Sequence, residues 1–193
     1  MIPVLSSSVV RAPFDERMND RALPRVDYEN GGPTLGVGSD DVSYEWQATS
    51  DGTSIMVGRT GVSPVLVTTD TAITEVSLAF DQTMRPHVAY VAGGVAKFRW
   101  WNSLASAYET MVLTGTRTPR CCTDDKRAGF STNRDLILSY LRGSSLYVRV
   151  QRERFQVEHE LVPTLPPGVI ITESTEIISF GLNSANRLQW RLA

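Results

Sequence analysis

Apolar and polar positions alternate in short bursts along most of this chain. Val76, Leu78 and Phe80 alternate with Ser77 and Ala79, the period-two pattern of a strand with one buried face. Ile55-Met56-Val57, Val65 to Thr69 and Val88 to Val91 are rich in β-branched and aromatic residues, which suit a pleated surface. Further strands are expected at Ala96 to Trp101, Leu136 to Leu141, Leu146 to Gln151 and Phe155 to Leu161. No long segment carries an i, i+3, i+4, i+7 apolar stripe. Asp135 to Arg142, closed by Gly143, comes nearest to a helix. The pattern predicts an all-β protein.

Part of that pattern repeats. Residues 88–99 align with residues 138–149 at a constant offset of 50, so that Tyr90 meets Tyr140, Gly93 meets Gly143 and Arg99 meets Arg149. Each copy reads as a strand, a glycine turn and a second strand, which is a hairpin. Upstream, Phe80 to Arg85 corresponds to Thr123 to Arg127; downstream, each copy adds a strand ending at Leu113 or Leu161. The unit of roughly 40–46 residues matches one four-stranded propeller blade. A weaker copy is expected from Tyr44 to Thr69.

The expected organisation has three parts. Residues 1–40 form an extended N-terminal arm, because Arg11, Arg17, Arg21 and Arg25 mix with acidic residues and prolines without periodicity; a disordered tail is the equal alternative. Residues 41–162 form a β domain with blade-like repeats at about 75–115 and 116–161. After Pro163, Pro166 and Pro167, residues 163–193 form a C-terminal β-hairpin that completes a sheet. The fold class is short antiparallel strands in propeller-like or sandwich-like repeats. A few blades do not close a ring of four to eight, so exposed edges call for assembly.

The 193 residues suit one domain with arms, and 41% apolar against 21% charged residues is a globular balance. No run approaches the roughly 18 apolar residues of a membrane-spanning helix. Met1 to Ser8 lacks a basic region and a sufficient apolar run, so no secretory leader is expected. A formal net charge of −2 provides no general drive toward nucleic acid or anionic lipid, and little repulsion between copies.

Catalytic groups are sparse. His87 and His159 lie in no metal-binding spacing, and both read as surface or turn residues. Asp124-Asp125 is a weak acid/base candidate, since adjacent carboxylates at a turn point apart. Asp51, Asp70 and Asp81 read as turn residues that bond their own backbone. Adjacent Cys121-Cys122 cannot easily bridge each other; they read as buried thiols at a strand start, with a redox or metal pair as the alternative. No catalytic residue, cofactor or metal is expected.

The interface candidates are Arg149, Arg152, Arg154, Trp100 and Trp101. Read as one strand, Arg149 shares a face with Gln151 and Glu153, opposite Arg152 and Arg154. That cluster suits inter-subunit ion pairs or a lining for passing DNA, against a solvated edge. Trp100 and Trp101 point to opposite faces of a strand, which makes one core and the other an interface or sugar-stacking residue.

Val76 to Pro86, Asp124 to Arg127, Ile137 to Gly143, Tyr147 to Phe155 and Asn183 to Trp190 carry a resemblance, with Val26 to Gly32 upstream. Over about residues 24–193 the chain resembles virion proteins of tailed bacteriophages. The resemblance implies a non-enzymatic, ring-forming tail component, an adaptor, nozzle or tail hub. Homo-oligomerisation and contact with other tail proteins follow, as does a virion location after synthesis in the host cytoplasm. The second reading is a carbohydrate-binding module at a tail tip, using Trp100 or Trp101 for host attachment.

Overall fold

The computed structural model describes residues 34–37, 43–59, 61–81, 85–123, 136–161, 171–172, 177–182 and 188–192. Among these, the regular structure is antiparallel strands and one 3-10 turn, Gln151–Glu153. The protein is all-β. Blade 1 contains β1 (Thr34–Val37), β2 (Ser43–Ser50), β3 (Ser54–Arg59) and β4 (Val65–Thr69). Blade 2 contains β5 (Ile73–Phe80), β6 (Pro86–Ala92), β7 (Val95–Asn102) and β8 (Ala107–Leu113). Blade 3 contains β9 (Arg117–Thr123), β10 (Leu136–Arg142), β11 (Ser145–Val150) and β12 (His159–Leu161). Each is a four-stranded meander in sequence order.

The glycine repeat falls where the chain must reverse. Gly93 and Gly94 join β6 to β7 with φ of +57° and +76°, and Gly143 opens the β10–β11 turn at +55°. Two-residue hairpin turns need such left-handed geometry to match strand twist, and glycine adopts it without steric penalty. The same register follows in both blades, with Tyr90 opposite Lys97 and Tyr140 opposite Tyr147.

The core lies between the blades. Ala48, Ile55 and Val57 of blade 1 pack on Val76, Leu78, Phe80, Val88 and Tyr90 of blade 2. The opposite face of blade 2, with Ala79, Ala89, Phe98 and Trp100, packs on Cys121, Leu136, Leu138 and Tyr140 of blade 3. β5 therefore differs from the one-faced strand that its alternation predicts: Ser77 and Ala79 are as buried as Leu78. Their small size lets β9 lie against β5, and the Cys121 N–H donates to Ser77 Oγ at 3.1 Å. A close-packed partner demands small side chains, which in sequence look like a wet face.

Both ends of the stack differ from its middle. The outward face of blade 1 mixes polar and apolar groups, with exposed Gln47, half-buried Thr49 and Met56, and exposed Leu66 opposite Met56. The far face of blade 3, with Cys122, Ile137, Leu141 and Leu146, is buried. On that side the Arg117 guanidinium donates to the Thr172 carbonyl, Ile171 is buried, and β13 (Ile177–Leu182) meets β9. β13 and β14 (Leu188–Leu192) form a sheet of their own, so the hairpin starts a new layer instead of completing a sheet.

Two expectations change here. Residues 34–37, assigned to the arm, form β1 and pair with β2; residues 1–33 lie outside the described residues. The strand expected at Leu136 to Leu141 forms as β10, and its burial on both faces explains why the stretch lacks strand alternation and came nearest to a helix. The strand expected from Phe155 is only His159–Leu161. Asp124-Asp125 lie outside the described residues.

Candidate functional site

Chain geometry after β11 disposes the arginine cluster. β11 stops at Val150, a 3-10 turn follows, and Arg154 and Phe155 take left-handed φ of +55° and +58°. The expected single strand through Arg154 is thus broken, and its shared faces do not form. Arg149 points inward, toward Tyr140. Its Nε donates to Tyr140 Oη at 2.8 Å, its Nη1 to the Phe155 carbonyl at 2.7 Å, and its Nη2 to Glu158 at 3.1 Å. Arg152 and Arg154 are exposed.

Glu158 is the hub that residue spacing did not reveal. It accepts from Arg142 at 2.6 and 3.0 Å, from Arg149, and from the Tyr140 hydroxyl. Burial pushes its pKa up, but donors Arg142, Tyr140 and Arg149 outweigh it and hold the carboxyl below the usual carboxylate range. Burial, then the Glu158 contact, pushes Tyr140 up to about 12. Blade 2 has a parallel: Tyr90 Oη and Lys97 Nζ both donate to Asp70, at 3.2 and 2.6 Å. The tyrosines repeat at the offset of 50; their carboxylates do not, so alignment alone missed Glu158.

Replacing Glu158 by Gln should cost about 1–2 kcal/mol. Hydrogen bonds to charged groups contribute about 1.5–3 kcal/mol, discounted because the carboxylate keeps 22% exposure. Denaturant midpoints of wild type and variant measure it, and an unchanged midpoint would reduce the network to surface decoration.

The tryptophans separate as their alternation requires. Trp100 is 4% exposed and packs edge-on to Phe155 at 5.3 Å; it is core. Trp101 is half-buried, edge-on to Tyr108 at 5.2 Å, with the Arg85 guanidinium 4.3 Å from its ring centroid. A sugar stacking on that face must displace Arg85 and its cation–π contact. Arg99 sits over Tyr108 at 5.4 Å and Arg59 over Trp46 at 5.8 Å, which extends the cationic-aromatic pattern along the blade 1 side of blade 2.

His87 departs from the expected surface role. It is fully buried, with Nε2 3.4 Å from Asp81 Oδ2 and its ring stacked on Phe98 at 6.2 Å. Asp81 has the expected turn role, accepting the Arg85 N–H at 3.0 Å; Asp51 likewise accepts from Thr53 and Ser54 at 2.8 and 2.7 Å. His159 is exposed and pairs with Glu153 at 2.6 Å. Cys121 and Cys122 are buried thiols in the second half of β9, not at its start. Burial pushes Cys121 up to about 12, where it is a protonated packing group at neutral pH.

Among the described residues, no cluster of three or more His, Cys, Asp or Glu could hold a metal ion. No described helix is long and apolar enough to cross a membrane. The last strands of the three blades differ in character. β8 carries Glu109, bonded to Asn102 at 2.8 Å; β12 is three residues with His159 and Glu160. β4, Val-Leu-Val-Thr-Thr, has no charge, and Val65 and Leu66 are 66% and 52% exposed. Comparison with protein-family models, curated proteins and solved structures returned no match for this chain.

Proposed function

We propose that this chain is a non-enzymatic structural subunit of a tailed-bacteriophage virion, a ring-forming tail protein of the adaptor, nozzle or hub kind. The observation that carries the reading is a stack that is unclosed among the described residues: three four-stranded blades followed by a two-stranded sheet. Such a stack leaves strand edges to be covered by other chains. Near-neutral charge opposes association little, and identical contacts around a ring multiply a weak one. Exposed Arg152 and Arg154 are the positions that would meet neighbouring subunits or passing DNA, with Arg149 committed to holding the β11–β12 connection. The glycan-binding reading is weaker, since Trp100 is core and Trp101 carries Arg85.

Light scattering across a concentration series tests this. A discrete oligomer that keeps its β-sheet signal and loses mass when residues 1–24 are deleted supports the reading. A strict monomer at every concentration counts against it.

A further inference from the structure

The repeat supplies a comparison within the chain itself. Arg99 and Arg149 hold equivalent positions, one opposite Val88 and the other opposite Leu138. In blade 3 the chain fills the space over the arginine. Residues 151–158, between β11 and β12, bring two backbone carbonyls and the Glu158 carboxylate onto Arg149. In blade 2 residues 103–106 join β7 to β8 directly, and among the described residues nothing equivalent covers Arg99. Its one hydrogen bond to a described residue runs from Nη1 to Thr110 Oγ1 at 3.2 Å. Its Nε is buried with no acceptor, since the Tyr90 hydroxyl, matching that of Tyr140, donates to Asp70.

Arg99 lies on the face of blade 2 that carries Lys97 and Trp101 on β7 and Tyr108, Thr110 and Val112 on β8. The Arg85 guanidinium joins them from the β5–β6 turn, 42% exposed. Aromatic rings hold both arginines, Trp101 under Arg85 and Tyr108 under Arg99, and the two rings meet at 5.2 Å. A cation–π contact engages the charge and leaves N–H donors for an anion. The described carboxylates nearby are already engaged: Asp81 lies 4.0 Å from Arg85, and Asp70 accepts from Lys97 and Tyr90. Arg99 pairs with neither.

We propose that this face of β7 and β8 binds an acidic segment of a partner protein, with its carboxylate on Arg99 and Arg85. The occupant is argued from blade 3, where the same arginine position takes main-chain carbonyls and a glutamate from one stretch of chain. Trp, Tyr and Arg are also the residue types that dominate protein contacts. Val95 and Val112, exposed on the same face, suit apolar neighbours of the acid. A chain of net charge −2 opposes a segment with one or two carboxylates less than it opposes a nucleic-acid polyanion. The inference goes beyond the virion reading and holds whether that reading stands or fails.

The test titrates the full chain into a fluorescently labelled peptide of its own residues 154–161, the stretch that fills blade 3. Anisotropy should show saturable binding at neutral pH and low salt. Affinity should fall at least about tenfold for Arg99→Gln and for Arg85→Gln, the loss expected for one charged hydrogen bond. It should fall similarly when the peptide carries Glu158→Gln. Arg152→Gln in the chain, at an exposed cation of blade 3, should leave it unchanged. The exposed Arg85 secures the test if Arg99→Gln loses its β-sheet signal. No binding at millimolar peptide, equal affinity of the Glu158→Gln peptide, or binding that survives both arginine variants overturns the proposal. An equal loss in Arg152→Gln also overturns it, by reducing the effect to general charge. Tighter binding of oligothymidine, lost in the same two variants, overturns it and makes the face a nucleic-acid surface.

Discussion

Phe155→Ala should destabilise the fold by about 3–5 kcal/mol, the range for truncating a buried aromatic. Phe155 is fully buried, edge-on to Phe98 at 4.8 Å and to Trp100 at 5.3 Å. It enters the interface between blades 2 and 3 from the turn after β11, so one side chain ties that turn to both blades. Its backbone is left-handed, as is that of Arg154, a conformation that costs non-glycine residues roughly 1–2 kcal/mol each. Ring burial and the Arg149 bond to the Phe155 carbonyl offset that strain. Removing the ring leaves a cavity and an unopposed strain together. Urea unfolding measures the effect, with Phe155→Leu as the milder comparison. A loss below about 1 kcal/mol would mean that the turn, not the ring, sets the geometry.

The second large effect is an acid instability centred on His87. Burial lowers its pKa below 6.5, outweighing the opposing pull of Asp81, while the nearby Arg85 cation lowers it further. In the unfolded chain the imidazole titrates near its ordinary value, so below about pH 6.5 the unfolded state binds the extra proton. The contribution is therefore complete above pH 6.5 and is lost as pH falls toward the folded-state pKa. The slope reaches at most about 1.4 kcal/mol per pH unit. Phe98 faces the ring, Asp81 is the carboxylate against it, and the Cys121 thiol meets its carbonyl, so little there can solvate an imidazolium. Denaturant midpoints between pH 7.5 and 5 should fall for the wild type and stay flatter for His87→Gln. Equal slopes in both proteins would move the acid sensitivity elsewhere.

Much of the architecture was legible in the chain. Strand positions at Ile55, Val65, Val76, Val88 and Ala96 follow from β-branched runs. The pairing of Tyr90 with Tyr140 and Gly93 with Gly143 located equivalent hairpins, because a two-residue turn fixes both its glycine and the register of the strands it joins. Turn roles for Asp51 and Asp81 followed from short-range chemistry alone. Trp100 and Trp101 had to face opposite ways on any strand, and they do.

The rest depended on what meets what across long separations. Ser77 and Ala79 read as a solvent face until β9 packs there, and His87 read as surface until blade 3 covers it. Arg149 read as an interface residue because its partners, Tyr140 and Glu158, sit on different elements; only the left-handed turn at Arg154-Phe155 swings Glu158 back to them. Local periodicity therefore determined the strands, the turns and the repeat, since each depends on neighbours within a few residues. Which faces are buried, which charges are paired and which edge stays bare were decided by blade stacking, since burial and electrostatics depend on atoms that the sequence order keeps far apart.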